Sequence, residues 1–441
     1  MNEQANKGLA EGLPPLSSHE AVVEANRCLY CYDAPCAQAC PTHIDIPRFI
    51  KKIATDNLLG SARAIFEANL LGATCARVCP VQELCEGACV LGKDHKPIAI
   101  GRLQRYSMDH AYRQQIPPFK PATKNGKTVA VVGSGPAGLS CAGELARRGY
   151  GVTVFEKRPL AGGLSTYGII ALREPIEASQ QEVRMMEYLG VCIQTGVELG
   201  ADLSLDDLRA RFDAVFLGVG LGATPAMGIS GEEWIVDGLE YVEQSKLTPQ
   251  TMAVGRAVAV IGAGNTAIDC ATIAKRLGAS IVTMVYRRSE REMSAYPHES
   301  EFIRKEGVEF RFLTQPVRVL AENGRVAGLE CVPMKLGPPD SSGRRAPEPA
   351  ADGSNFIIPA DQVVKAVGQE KPSLARALGL AVKRGFIQVN ADFETSIPGV
   401  FAGGDCIRSK NAASTVMAVQ DGKLAAESIH VRLAAVTHGG S

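Results

Sequence analysis

Cysteine placement is the feature of this sequence that points most directly to chemistry. Eight of the 13 cysteines lie between Cys28 and Cys89, in two groups of four. The stretch from Met1 to Leu16 has no apolar segment of the kind that directs export, so we expect a cytoplasmic, reducing location. In such a compartment, cysteines concentrated in this way are expected to bind metal rather than to form a disulfide framework.

The first cysteine group has a spacing typical of iron–sulfur ligands. Its four cysteines fall within 13 residues, and Pro41 follows the fourth, Cys40. This is close to the run found in bacterial ferredoxins, where the fourth cysteine serves the other cluster of a pair. Zinc sites more often show Cys-x2-Cys pairs separated by a long gap, and two zinc sites are the alternative interpretation. The second group, from Cys75 to Cys89, predicts a second set of ligands.

A glycine-rich turn after the apolar stretch Thr128–Val132 predicts a dinucleotide site. In such a turn the first glycine reverses the chain, the second lets the backbone approach the pyrophosphate, and the third allows close helix–strand packing. The helix that follows offers free N–H groups to the phosphates. An acid at the end of the next strand can bond the ribose hydroxyls. The predicted binding residues are Gly133, Gly135, Pro136, Ala137, Gly138 and Glu156.

A second turn of this kind follows Ala257–Ile261 and predicts a second dinucleotide site. No acid ends its next strand, and Arg287, Arg288 and Arg291 stand there instead. Arginines in that place suit the 2′-phosphate of NADP. Alternatively, they form a solvated face or contact only the adenine and pyrophosphate, so NAD and NADP both stay open. The predicted residues are Gly262, Gly264, Asn265, Thr266, Ala267, Arg287 and Arg288.

A third element, from Gly399 to Asp405, is a short apolar strand that ends in two glycines and an acid. It resembles the C-terminal FAD motif of flavoproteins with two dinucleotide-binding domains. The resemblance implies that Gly404 and Asp405 contact FAD, with Asp405 on the ribityl chain. A helix from about Ala412 to Ile429 is expected to direct its N-terminus at the flavin ring. The order FAD, NAD(P), FAD then predicts a discontinuous FAD domain.

A flavin belongs between a nicotinamide and iron–sulfur clusters. A hydride donor delivers two electrons together and clusters carry them singly, whereas a flavin accepts a pair and releases single electrons. Hydride transfer needs no side-chain acid or base, so we predict no catalytic residue. Disulfide reductase chemistry is not expected, because residues 162–168 contain no cysteine and Cys270 has no partner at Cys-x2-Cys spacing.

The elements that must position these residues are predicted from apolar spacing. Residues 1–120 show helical spacing and no strand-like alternation. The expected fold class is α/β, with two Rossmann-like domains for FAD and NAD(P) preceded by an all-α domain that holds two [4Fe–4S] clusters. The predicted domains are 1–120 for the clusters, 121–250 and 366–441 for FAD, and 251–365 for NAD(P). The zero net charge argues against nucleic-acid binding. The sequence contains no run of ~20 apolar residues, so no membrane span is predicted.

In their wider sequence, the cysteine groups resemble the N-terminal half of dihydropyrimidine dehydrogenase. The resemblance is carried by residues 31–46, 71–89, 100–104 and 162–166, and extends from about Ser18 to Ile429. It implies one [4Fe–4S] cluster on Cys28, Cys31, Cys36 and Cys89, another on Cys40, Cys79, Cys85 and Gln104, and FAD contacts at Gly163 and Leu164. Spacing alone favours Cys75 as the eighth ligand, with Gln104 on the surface.

The full-length members of that family continue into an FMN barrel and a ferredoxin-like domain, which this sequence lacks. It is therefore similar to the small (PreT-type) subunit of the split bacterial enzyme. That similarity implies NAD-dependent oxidation of NADH through FAD, and transfer of electrons to a large subunit with FMN and iron–sulfur clusters that reduces uracil or thymine. It also implies a heterotetramer. The alternatives are a glutamate synthase small subunit, an NAD(P)H:ferredoxin-type oxidoreductase, and a non-catalytic assembly subunit that holds zinc.

Overall fold

The computed structural model describes residues 9, 11–115, 117–339, 345–350, 354–408 and 414–438. The chain divides into two compact units. The larger unit comprises Leu13–Thr166, Ile176–Gly222 and the residues from Lys371 onward. The smaller unit comprises Tyr167–Pro175, Ala223–Glu370 and the residues up to Gly12.

The larger unit begins with a layer of short helices, which confirms the predicted all-α region. Asp45 begins one of them by accepting a hydrogen bond from the backbone N–H of Arg48 at 3.1 Å. Four apolar residues of that helix, spaced so that they share one face, are buried: Ile46, Phe49, Ile50 and Ile53. The helices of the layer are α1 (Ser18–Asn26), α2 (Pro35–Ala39), α3 (Ile46–Ala54), α4 (Leu58–Ala68), α5 (Gly72–Val78) and α6 (Ile100–Arg113), with a 3-10 turn at Val90–Lys93.

A five-stranded parallel sheet forms the rest of the larger unit. Its strands are β1 (Thr128–Val132), β2 (Gly151–Glu156), β3 (Cys192–Thr195), β4 (Ala214–Leu217) and β16 (Val400–Ala402), in the order β16-β4-β1-β2-β3. The accompanying helices are α7 (Pro136–Ala146), α8 (Leu164–Tyr167), α9 (Ile176–Tyr188), α10 (Leu205–Arg211), α14 (Leu374–Ala377) and α15 (Thr415–His438), and a small hairpin pairs β14 (Val382–Lys383) with β15 (Phe386–Ile387). The predicted start of the last helix, at Ala412, lies outside the described residues. Because β16 comes from the C-terminal part of the chain, the sheet is assembled from two distant segments.

The helical layer and this sheet share one hydrophobic core. Phe49 from the layer, Val131 from the sheet and Ile429 from the last helix belong to the same buried cluster. A buried carboxylate joins the two parts as well: Oε1 of Glu182, on α9, accepts hydrogen bonds from the N–H groups of Ala73 and Thr74 at 2.8 and 3.0 Å. These N–H groups lie in the first turn of α5, where a negative charge is favourable.

The smaller unit repeats the same sheet plan. Its parallel strands are β5 (Ile235–Asp237), β6 (Ala257–Ile261), β7 (Ile281–Val285), β8 (Glu309–Arg311) and β13 (Gln362–Lys365), in the order β5-β13-β6-β7-β8. Its helices are α11 (Gly238–Leu247), α12 (Asn265–Arg276) and α13 (Pro297–Lys305). An antiparallel sheet is inserted before the last strand, from β9 (Thr314–Glu322), β10 (Arg325–Pro339), β11 (Arg345–Pro349) and β12 (Phe356–Ile358).

The larger sheet has the 3-2-1-4-5 strand order of a Rossmann fold; the smaller sheet has the same arrangement around its central strand β6, except that its edge strand β5 comes first in the chain. In such sheets ligands bind beside the central strand, where the order of the strands reverses. The predicted fold class, two Rossmann-like folds preceded by an all-α region, is confirmed. The helices in the described part of the chain fall short of the length and apolar content that crossing a membrane requires.

Candidate functional site

The first four predicted ligands line one cavity in the larger unit. Cys28, Cys31, Cys36 and Cys89 line it together with apolar residues such as Ile50 and Ile98. In the described chain no three His, Cys, Asp or Glu side chains converge on a single-ion position. The four thiols surround a space instead, and four sulfur donors around an apolar cavity suit an iron–sulfur cluster.

Burial makes two of these thiols, those of Cys28 and Cys36, hard to ionise on their own. Loss of solvent raises the pKa of Cys36 to about 11, and the neighbouring Cys28 and Cys89 add to the rise. Loss of solvent also raises the pKa of Cys28. Because thiolate, not thiol, is the metal ligand, cluster binding here must release protons.

Of the cysteines predicted for the second cluster, Cys40 is buried, and Cys79 and Cys85 are half-buried. The pKa of Cys79 is well above its ordinary value, because a hydrogen bond with Cys75 and burial both disfavour its thiolate, and Cys85 and Cys40 lie near enough to add to the effect. Cys75 is 3% exposed and Cys40 is 8% exposed. The structure therefore brings together Cys40, Cys75, Cys79 and Cys85.

Gln104 is buried, at 7% exposure, so the interpretation of Gln104 as a surface residue is wrong. Its Nε2 donates to the carbonyl of Gly72 at 2.8 Å. Helix α6, which carries Gln104, packs on α5, which carries Cys75. With Nε2 held by Gly72, the amide offers Oε1 as its ligand atom.

The first glycine turn has the geometry of a phosphate cradle. Gly133 has φ of +92°, and a Cβ there would lie 2.5 Å from the carbonyl oxygen of Gly218. A Cβ on Gly135 would meet no atom within 4 Å, so the backbone faces open space at that point. A Cβ on Gly138 would lie 1.9 Å from the Gly133 carbonyl oxygen, so helix and turn are in close contact. These are the three functions that glycines serve in such turns, and Pro136 begins the helix.

Glu156 is buried and partly engaged by its own chain. Its Oε2 accepts hydrogen bonds from the N–H and hydroxyl of Ser134, at 2.9 and 2.5 Å, and its Oε1 accepts one from the N–H of Arg158 at 2.8 Å. The Ser134 hydroxyl also accepts from the N–H of Gly162 at 3.0 Å. An ionised carboxylate has about four acceptor positions, so Glu156 retains capacity for a ribose hydroxyl.

The remaining predicted flavin residues gather at the same turn. A Cβ on Gly163 would lie 2.6 Å from Cα of Gly135, and one on Gly404 would lie 3.0 Å from Cβ of Ala137. Leu164 follows at 41% exposure. Burial raises the pKa of Asp405, and the nearby Arg408 opposes the rise. The two halves of the predicted flavin motif are thus in contact, although about 270 residues separate them in sequence.

The second glycine turn lies in the smaller unit. Gly262 has φ of +135°, and a Cβ there would lie 2.2 Å from the carbonyl oxygen of Ala366. The side chain of Asn265 accepts a hydrogen bond from the N–H of Tyr296 at 3.3 Å. Ala267 is fully buried where the first turn has glycine, and Gly264 and Thr266 are half-buried. The turn and helix offer backbone N–H groups as the first turn does.

The acids near Arg287 and Arg288 are already engaged. Glu292 accepts hydrogen bonds from Ser289, and Glu290 pairs with Arg304 at 2.8 Å. Within the described residues, Arg287, Arg288 and Arg291 form no ion pair, and Nε of Arg288 is buried without a hydrogen-bond partner. A group of arginines free of acids is suited to bind phosphate.

A buried charge cluster in the smaller unit was not predicted. The guanidinium of Arg173 contacts the carboxylate of Asp269 and lies 2.5 Å from Glu299. Asp269 lies on α12, directly after the second glycine turn. The available sequence signal was an acid within the otherwise uncharged stretch from Ala267 to Ala274.

Comparison with known proteins identifies two family models. The model described as pyridine nucleotide-disulphide oxidoreductase matches residues 127–422. The model described as dihydropyrimidine dehydrogenase domain II, 4Fe-4S cluster, matches residues 5–116. Among solved structures, FprA of Mycobacterium tuberculosis in complex with NADPH is similar in fold, with a TM-score of 0.59 at 19% identity over 71% of this chain and 86% of that one.

Several curated relatives are subunits of larger oxidoreductases. The beta subunit of an NADP(+)-dependent formate dehydrogenase from Moorella thermoacetica is 38% identical over 90% of this chain, which spans 59% of that relative. The small chain of glutamate synthase [NADPH] from Escherichia coli is 35% identical over 94% of this chain and 92% of its own length. Subunit PreT of the NAD-dependent dihydropyrimidine dehydrogenase from Salmonella typhimurium is 33% identical over 96% of both chains.

The second and third glycines of the first turn, Gly135 and Gly138, should behave differently when each is replaced by alanine. In Gly138→Ala, the new methyl group meets the Gly133 backbone, so the FAD-free chain should unfold at a lower temperature. In Gly135→Ala, φ of −66° allows alanine and no protein atom is near, so the FAD-free chain should keep its unfolding temperature. FAD affinity of Gly135→Ala should nevertheless fall about tenfold or more, because the methyl group fills the space left for pyrophosphate. Thermal unfolding and fluorescence titration with FAD measure the two effects, and unchanged FAD affinity in Gly135→Ala would contradict the assignment.

Glu299 should make the stability of the smaller unit depend on pH. Burial raises the pKa of Glu299 to about 7, with Arg173 opposing and Asp269 adding to the rise. A carboxyl whose pKa is higher in the folded chain stabilises the fold below pH 4.5 and loses that contribution as the pH rises to about 7. Relative to Glu299→Gln, the unfolding free energy of the wild type should fall by about 3 kcal/mol over this range, measured by urea unfolding.

The control is Glu301→Gln, which changes an exposed acid of the same helix that pairs with Lys305 at 2.7 Å. The difference in unfolding free energy between the wild type and Glu301→Gln should not fall between pH 4.5 and 7. A difference between wild type and Glu299→Gln that stays constant from pH 4.5 to 7 would rule out the raised pKa of Glu299.

Proposed function

The chain belongs to the pyridine nucleotide-disulphide oxidoreductase family, and on that premise we propose that it is the electron-input subunit of a dihydropyrimidine dehydrogenase. It is an NAD(P)H-dependent flavin and iron–sulfur oxidoreductase that works with a partner subunit. The observation that carries the electron-input part of the proposal is the cavity of Cys28, Cys31, Cys36 and Cys89, which lies in the same compact unit as the flavin cradle. The pyrimidine part rests on the 33% identity to subunit PreT over 96% of both chains.

The flavin would be held by the first glycine turn, Glu156 and the Gly404–Asp405 segment, and the nicotinamide nucleotide by the second turn. Bound FAD would supply the conversion of a two-electron input into one-electron steps. The chain's residues bind and orient these groups, and no side chain has to move a proton for hydride transfer. The apolar residues that line the cavity together with the cysteines, such as Ile50 and Ile98, would limit the access of water to that cluster site.

We assign one [4Fe–4S] cluster to the four cavity cysteines and the second to Cys40, Cys79, Cys85 and Gln104. Burial of Gln104 and the hydrogen bond that holds its Nε2 support the role of Oε1 as a ligand. Cys75 would then stay a thiol beside Cys79, where hydrogen bonds to cluster sulfur tune the potential.

The first cluster, on Cys28, Cys31, Cys36 and Cys89, is the expected point of electron exit. Exposed apolar side chains adjoin three of its cysteines: Leu29 is 58% exposed, Tyr32 is fully exposed and Val90 is 39% exposed. In the second cluster, by contrast, Cys40 is buried at 8% exposure, and the helices of this layer share a core with the flavin fold. Electrons would therefore pass from the flavin to the second cluster, then to the first cluster, and then to a partner with FMN and iron–sulfur clusters.

NADPH is the nucleotide that the charges at the end of β7 favour, although the family resemblance predicted NAD. No acid ends that strand, and the acids that follow it are bound within their own chain. Arg287, Arg288 and Arg291 have no carboxylate partner among the described residues, so a 2′-phosphate could bind them without displacing one.

The experiment that tests the function uses the chain purified anaerobically with whatever binds it. Uracil-dependent oxidation of NADPH or NADH, together with an FMN-containing second chain, is the expected result. Oxidation that depends on glutamine and 2-oxoglutarate would favour the glutamate synthase alternative. Oxidation with a soluble ferredoxin and no fixed partner would favour the ferredoxin-type alternative and overturn the proposal.

Removing the arginines should weaken NADPH selectively. In Arg287→Ala and Arg288→Ala, KM for NADPH should rise about tenfold, because each variant loses a charge-assisted hydrogen bond to phosphate. KM for NADH should stay unchanged, since NADH lacks the 2′-phosphate. The matched control is Arg311→Ala, on the neighbouring strand β8, where the arginine lies 3.8 Å from Glu309. Steady-state kinetics with NADPH and with NADH measures both KM values. An equal rise in KM for the two nucleotides would contradict the assignment of Arg287 and Arg288 to the 2′-phosphate.

A further inference from the structure

Three consecutive residues of the last helix contact three parts of the larger unit. The carboxylate of Asp421 accepts a hydrogen bond from the N–H of Gly404, in the second half of the flavin cradle, at 2.9 Å. Gly422 lies against the first half, since a Cβ there would be 2.1 Å from the carbonyl oxygen of Ala137. Lys423 points to the cysteine layer. The segment 421–423 therefore joins both halves of the flavin cradle to the layer that carries the cysteines.

The Lys423 ammonium holds two backbone segments of that layer. Nζ donates to the carbonyl of Thr42 at 3.3 Å and to the carbonyl of Ala68 at 2.9 Å. Thr42 is fully buried, and its hydroxyl lies 3.4 Å from Sγ of Cys40. One lysine is thus linked, through a single residue, to the sulfur of a predicted ligand of the second cluster.

The surroundings of Lys423 suit a charge that acts on its neighbours. Burial lowers the pKa of Lys423, while Glu144 and Cys40 oppose the decrease and Arg147 and Arg148 add to it. The two arginines both pair with Glu144, at 3.0 and 3.2 Å, which leaves Lys423 as the cation bonded to the Cys40 loop. A cluster gains negative charge on reduction, so a nearby cation stabilises the reduced form.

We propose that Lys423 is a positioning residue for electron transfer between the flavin cradle and the cysteine group that contains Cys40. Its hydrogen bonds set where the Cys40 loop lies relative to the helix that supports the flavin, and its charge raises the reduction potential of the cluster held there. The inference rests on the proposed flavin and iron–sulfur function. It assigns to this chain a residue that acts on the cluster through Thr42 rather than by touching it.

The test compares Lys423→Met, Lys423→Gln and Lys423→Arg in the whole chain, loaded with FAD and iron. In Lys423→Met, the midpoint potential of one cluster should fall in an EPR-monitored redox titration, and electron transfer from FAD to that cluster should slow about tenfold in anaerobic stopped flow. Lys423→Gln keeps hydrogen-bond donors but not the charge, so it should show the lower potential as well. Lys423→Arg should restore the potential. The matched control is Arg432→Met, which removes a cation of the same helix that pairs with Glu394 at 2.7 Å and should leave potential and rate unchanged.

A wild-type potential and rate in Lys423→Met would overturn the inference while leaving the proposed function intact. If Lys423→Met does not fold, Lys423→Gln decides by the same potential. Loss of the cluster in all three variants with FAD retained would assign Lys423 to cluster assembly alone and would also contradict the inference. A wild-type chain without iron, or with clusters that NAD(P)H does not reduce, would instead refute the proposed function.

Discussion

Contact between two helices, α7 and α15, is the constraint on which the larger unit depends. Each helix follows one half of the flavin cradle, and the halves are about 270 residues apart in sequence. Strand β16, which brings the second half into the sheet, has three residues; it pairs with β4, and its other side forms an isolated bridge between Phe401 and Glu394. The contact between α7 and α15 therefore adds to the few hydrogen bonds of this short strand in holding the second half of the flavin cradle in place. Gly422 makes it possible, because any side chain there would collide with the Ala137 backbone, and packing offsets the cost of about 1 kcal/mol for glycine within a helix.

The two units treat buried charge in different ways. In the larger unit, burial raises the pKa of Cys36, and a hydrogen bond with Cys75 together with burial raises that of Cys79, so metal binding must displace their protons and is coupled to folding. In the smaller unit, Arg173 keeps one guanidinium against two acids inside the fold. Such buried groups add little net stability after desolvation, but each excludes arrangements in which a partner is left without its counter-charge. The buried cysteines and the buried ion pairs of Arg173 therefore fix how their segments are arranged more than they stabilise the fold.

The parts of the site that could be predicted from sequence are those made by neighbours in sequence. The spacing of Gly133, Gly135 and Gly138 determines a local backbone shape, and the structure has that shape. The parts that could not be predicted depend on long-range contact. Nothing local to Gln104 shows whether its side chain is buried, because that depends on how α6 packs against α5. Arg173 and Glu299 are 126 residues apart, and only the folded chain brings their charges together.

The fold class, the two glycine turns and the two cysteine groups could be predicted from the amino-acid sequence alone. These follow from hydrophobic periodicity and from residue types at short spacing, which act over a few bonds. The family resemblance implied the grouping of four cysteines, and the order FAD, NAD(P), FAD implied that the two halves of the flavin cradle meet; the folded chain supplies the contacts that form both. No sequence pattern predicted that residues 421–423 join the cradle to the cysteine layer, which the tertiary structure shows. The physical reason is that burial and close contact belong to pairs of distant segments, and their energies appear only when the whole core has formed.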